Sequence, residues 1–140
     1  MKKLKALRLL EKKRKLEFFN ILGDLNLLHS EVGKLKETIE KIETLIKEEE
    51  QKELKSELSA RYLRNSRNIK HKLYEKLNLS KNRSKFIEEQ IEVQNKNLAE
   101  VKMKLNQLES DIKSQKIIED ENKLRYLEVI ENRQNIKNRS

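Results

Sequence analysis

The chain has 140 residues, of which 41% are charged, 35% apolar and 4% aromatic, and 33 Lys/Arg against 24 Asp/Glu give a net charge of +9. With two glycines and no proline, cysteine or tryptophan, it has no disulfide framework, thiol chemistry or thiolate metal site, and runs of β-branched and aromatic residues bounded by turns, which a sheet needs, are missing. A composition rich in Glu, Lys, Leu and Arg belongs to long helices and coiled coils.

The first segment, MKKLKALRLLEKKRK, is basic, with eight Lys/Arg and one Glu over residues 1–15. It lacks the uninterrupted apolar middle of a secretory signal, and no stretch of the chain has the apolar length of a bilayer span. Phe18, Ile21, Leu25, Leu28, Val32, Leu35, Ile39, Ile42 and Ile46 then follow one another at spacing 3,4,3,4; Leu4 and Leu7 share their phase, and Glu11 and Arg14 interrupt it. Apolar residues held at a period of 3.5 predict a long helix packed along one narrow stripe.

Phe19, Leu22 and Leu27 lie off that stripe. They mark either a wider core formed by another helix or copy, or a docking patch for a different protein. Gly23 and Gly33 fall on the outer faces, where each costs about 1 kcal/mol relative to alanine. Residues 37–57 hold eight Glu against four Lys, and residues 61–85 hold nine Lys/Arg against one Glu. Such segregated charge is read as a signal to partners.

A second heptad run comprises Leu73, Leu77, Ile87, Ile91, Leu98, Val101, Leu105, Leu108 and Ile112, with Ser80, Ser84 and Gln94 in its polar gaps. Beyond Ile112 the phase slips, and Ile117, Leu124, Leu127 and Ile130 resume it less regularly. Facing positions of an antiparallel pair have residue numbers with a constant sum. A sum of 133 sets Ile21 against Ile112, Leu25 against Leu108, Leu28 against Leu105, Val32 against Val101 and Ile46 against Ile87, and reverses the chain at Ser66. A sum of 126 is almost as good and reverses it near Leu63. The stretch YLRNSRN (62–68) supplies Asn and Ser, which favour turns. The predicted fold is therefore all-α, a long two-helix antiparallel coiled-coil hairpin filling 1–140, with helix 1 over about 2–62, a turn at about 63–68 and helix 2 over about 69–136. The alternative is one continuous rod that dimerises in parallel.

In that register Ile69, Leu73 and Leu77 face Arg64, Ala60 and Ser56. They either repack locally with Leu54, Leu58 and Leu63, or form an apolar strip near the tip for a groove on a partner. No catalytic arrangement is visible. His29 and His71 are far apart with no third ligand for a metal, the KEEEQKE run (47–53) is a charge run, and no glycine-rich phosphate loop occurs. The expectation is a protein that is not an enzyme and uses no cofactor, metal or small-molecule substrate. Nucleic acid is disfavoured as a partner, because no recognised module is present and only Tyr62, Tyr74 and Phe86 accompany the second basic cluster. A membrane surface for residues 2–15 is a further minor reading.

The basic N-terminal helix KLKALRLLEKKRKLEFF, the mid-chain reversal and the C-terminal helix ending in KLRYLEVIENRQ resemble the FliJ family of flagellar export proteins and their YscO-type injectisome relatives. The resemblance implies the central stalk of a type III export apparatus, cytoplasmic and peripheral at the inner face of the inner membrane. Its partners would be a hexameric export ATPase, an export-gate membrane protein and export chaperones. Leu4, Leu7, Arg8, Lys12, Arg14, Arg125 and Arg133 would lie at the end that enters the ATPase pore. Ile69, Leu73 and Leu77 would lie where the family contacts the gate. The family often carries a tryptophan or other large aromatics near the end of its second arm; this chain has Tyr126 there.

Overall fold

The computed structural model describes residues 2–55 and 59–139. Two helices account for nearly all of them: α1, Lys2–Lys55, and α2, Ala60–Arg139. The two pack against each other with no strand among the described residues, so the chain is an all-α two-helix hairpin. It divides into two units, Leu22–Lys96 and Met1–Ile21 with Asn97–Ser140.

The heptad phase read from the sequence is the phase that is buried. Along α1 the shielded positions run Leu4, Leu7, Glu11, Arg14, Phe18 and onward in unbroken 3,4 spacing to Glu49 and Glu53. Along α2 they run from Ser66 and Lys70 through Leu73 and Leu77 to Gln115 and Glu119. A seam of this period is what two helices wound about each other produce.

The reversal is not where the sequence suggested. Residues 63–68 are helical, inside the first turns of α2, and helix 1 ends at Lys55 rather than near residue 62. α2 begins at Ala60, with Ser59 as its N-cap. The Tyr62 amide donates to Ser59 Oγ at 3.2 Å, and the Leu63 amide donates to the Ser59 carbonyl at 3.1 Å. A serine hydroxyl there satisfies one of the amides that a helix start leaves unpaired. α2 also reaches further than expected, to Arg139.

Moving the turn moves the register. In the unit 22–96, Ile42, Ile46 and Leu77 form the buried cluster, with Ile39 and Leu73 packed against it. Ile42 faces Leu77 and Ile46 faces Leu73, so facing numbers sum to 119 and not to 133 or 126. The three sums differ by whole heptads and bury the same stripe, so the phase is right while the two expected pairings are two heptads and one heptad off. Val32 then faces Ile87 and Leu28 faces Ile91, while Leu35 meets the buried Ser84.

In the other unit, Val101 and Leu108 are the buried positions of α2. The same sum sets Phe18 opposite Val101, and Glu11 and Arg14 opposite Leu108 and Leu105. The two charged interruptions are satisfied on their own helix: Arg14 donates to both Glu17 carboxylate oxygens at 3.0 Å, and Lys15 pairs with Glu11 at 3.5 Å. Their aliphatic stems can cover the leucines while the charged heads stay wet. Beyond residue 119 the sum reaches the start of α1, and residues 120–129 are all exposed. Among the described residues α2 therefore extends past α1.

Candidate functional site

Three places in the molecule carry more than generic coiled-coil packing: a polar cluster and an exposed tip in the unit 22–96, and the overhanging helix in the other unit.

The polar cluster closes the seam next to the reversal. Ser66, 1% exposed, is the most buried residue described. Its hydroxyl donates to Glu53, whose second carboxylate oxygen accepts from Lys70 Nζ at 2.7 Å. Serine, carboxylate and ammonium satisfy one another, as buried polar groups require. The Lys70 hydrogen bond, followed by that of Ser66, holds the Glu53 carboxyl below its ordinary range, and Glu53 in turn raises Lys70. Further along, Glu43 pairs with Lys81 at 3.7 Å, Glu31 with Arg83 at 2.6 Å, and Tyr74 donates to Glu50 at 3.4 Å. Every one of these contacts joins an acidic residue of α1 to a residue of the basic first half of α2.

At the tip, the three residues expected to contact a gate have different fates. Leu77 is buried and Leu73 half-buried, both packed on Ile42 and Ile46, so neither is open to a partner. This corrects the tip strip: in the observed register both leucines have apolar partners. Of the residues offered for local repacking, Leu58 lies outside those described, Leu54 is 86% exposed and Leu63 is half-buried. Ile69 remains exposed, as does Tyr62 seven residues before it on the same face, with the exposed Arg61, Arg64 and Arg67 around them.

The residues of the proposed docking patch are divided between the two units. Phe19 belongs to one unit, where it is exposed and meets Phe18 edge-to-face with ring centroids 5.9 Å apart. Leu22, half-buried, and the exposed Leu27 belong to the other, and lie about 140° apart around α1.

At the end that carries both termini, Leu4 and Leu7 are half-buried in the seam, and Arg14 is engaged by Glu17. Arg8, Lys12, Arg125 and Arg133 are exposed. A shallow surface groove is lined by Leu4, Arg8, Leu9 and Lys12 of α1 with Glu119 of α2. The overhang carries Leu124 and Leu127, which the sequence marked as an irregular continuation of the seam, the terminal aromatic Tyr126, and Val129, which the sequence did not mark; all four are exposed, with no residue of α1 opposite them among the described residues. The signal was present in the phase slip after Ile112, but its meaning depended on the register.

Among the described residues no group of three His, Cys, Asp or Glu side chains could hold a metal ion, and no helix is long and apolar enough to cross a membrane. The fold defines a class, an all-α two-helix hairpin of coiled-coil type. Comparison with known protein families, curated proteins and solved structures finds no match to the chain.

Proposed function

We propose that this protein is a non-enzymatic central stalk of a type III export apparatus, flagellar or injectisome. The end carrying both termini enters the pore of a hexameric export ATPase, and the tip engages the membrane export gate. The observation that carries the reading is the overhang. A hairpin whose second helix extends past the basic start of α1, exposing Arg125, Arg133, Leu124, Tyr126 and Leu127 there, suits insertion into a complementary opening. Its excess of cations would be drawn to an acidic rim, with an attraction that falls as salt rises.

In this reading the chain supplies no chemistry. A two-helix hairpin inside a six-fold ring would touch one subunit differently from the next, and a difference in contact is what biases subunit states. At the tip, Tyr62 and Ile69 with their surrounding arginines take the role that the resemblance gave to Ile69, Leu73 and Leu77. Export chaperones are further partners, and the location is the cytoplasm at the inner face of the inner membrane.

The test is addition of the chain to the export ATPase of the same cell. Assembly and turnover of the ATPase should rise on stoichiometric addition, and Leu124→Asp with Leu127→Asp should abolish the effect while the hairpin stays folded. Unchanged turnover, with no binding to ATPase or gate, would discard the stalk in favour of a plain structural spacer. Binding to duplex DNA with a steep salt slope would favour a nucleic-acid clamp instead.

A further inference from the structure

We propose that charge, rather than apolar matching, sets the register of this hairpin, and that a second register two heptads away is its accessible alternative. The inference stands whether or not the hairpin enters an ATPase.

Apolar matching alone does not favour the observed pairing. At a sum of 119, Leu25 faces Gln94, Leu35 faces Ser84, Ile39 faces Ser80, and Glu11 and Arg14 oppose Leu108 and Leu105. At a sum of 133 Leu25 would face Leu108 and Leu35 would face Leu98, while Ile39 would still meet a polar residue, Gln94. The slid register would also set Val129 and Tyr126, now 49% and 68% exposed, against Leu4 and Leu7.

Charge points the other way. The observed register lays residues 37–57, eight Glu against four Lys, along residues 62–82 within the basic stretch that holds nine Lys/Arg against one Glu over 61–85. In the slid register the acidic stretch would face residues 76–96, with five Lys/Arg against three Glu. The cross-helix contacts Glu53–Lys70, Glu43–Lys81 and Glu31–Arg83 all belong to the observed pairing, as does Ser66–Glu53. Exposed pairs are individually weak, but here a row of one sign lies along a row of the other, and the polar cluster fixes the register as buried polar groups do in coiled coils.

The two registers differ by about 20 Å of travel of α2 along α1. Sliding would move the reversal to Ser66 and cover part of the overhang. An acidic partner that captured the basic stretch of α2 would remove the charges that hold the observed pairing, so a contact at one end of the hairpin would change what the other end exposes.

The chain has no cysteine, so introduced thiols report pairing cleanly. Ile46→Cys with Leu73→Cys reports the observed register, and Ile46→Cys with Ile87→Cys the slid one. Both are treated with a short bifunctional thiol reagent at low protein concentration, and single-chain products are counted by mass. At low salt the first pair should dominate. Glu53→Lys should shift the ratio of products toward the second pair by about five- to tenfold, and Glu53→Lys with Lys70→Glu should restore it. High salt should shift it in the same direction as Glu53→Lys, because the attraction between the acidic row of α1 and the basic row of α2 is screened. If Glu53→Lys fails to fold, the salt series alone decides. The first pair dominating at every salt concentration, or the charge swap failing to restore it in a folded hairpin, would overturn the proposal.

Discussion

Ser66 shows how a residue can be read for the wrong property. Its neighbours Asn65 and Asn68 and its own hydroxyl suit a turn, yet it is the most buried side chain described, sealed under Glu53 in the seam. Local preference is a weak force beside a continuous helix with a partner along its length. Removing the hydroxyl tests this: Ser66→Ala should lower stability by about 1 kcal/mol, read as an earlier urea midpoint with helical content unchanged before the transition. The pair beside it predicts a pH profile. Glu53 is held below its ordinary range, so its stabilising contribution is complete above the unfolded carboxyl value and is lost as pH falls through the lowered one. Lys70 is raised, so its contribution is complete below the unfolded ammonium value and is lost as pH rises through the raised one. The thermal midpoint should stay level through neutral pH and fall at both extremes, and Glu53→Gln should flatten the acid limb.

At the scale of the helices, the phase was legible and the pairing was not. Every seam residue named from the sequence, from Phe18 to Ile46 and from Leu73 to Ile112, is shielded in the structure. Heptad arithmetic cannot separate sums of 133, 126 and 119, because a slide of seven residues returns the same face. The information that separates them lay in the charges, in the acidic run of α1 and the basic run of α2, which were read as signals to other molecules and prove to face each other. Ser59 was a second cue, a capping residue just ahead of Ala60. Ile42 sits at the centre of the buried cluster, so Ile42→Ala should cost about 2–5 kcal/mol, measured by denaturant titration. Gly33 and Gly23 bracket the opposite case. A Cβ at either would meet nothing within 4 Å, so Gly33→Ala should raise stability by about 0.4–1 kcal/mol, visible as a later melting transition.

For the molecule as a whole, composition settled the class before any residue was placed: 41% charge without proline leaves little besides long helix. Function was less legible, because a coiled coil spends its sequence on a repeating seam and leaves few positions that differ from those of any other coiled coil. What distinguishes this chain is where the seam stops. Residues 120–129 are exposed throughout, so ending the chain after Asp120 should change the hairpin's stability by less than about 0.5 kcal/mol, while, on the proposed stalk reading, binding to an export ATPase should be lost. A large drop in melting temperature on truncation would mean that this segment packs on the hairpin, and would remove the basis for giving it a docking role.

The overhang also predicts an order of events. Most helical stability in proteins comes from tertiary packing, which the exposed residues 120–129 lack, so the overhang's backbone amides should exchange with deuterium long before those around Ile42, and trypsin should cut first at Lys123, Arg125 or Arg133. Whatever clasps it must quench that fraying. Association should then show a large favourable enthalpy offset by lost chain entropy, and substitutions that raise helix propensity in residues 120–136 should tighten binding without touching the partner.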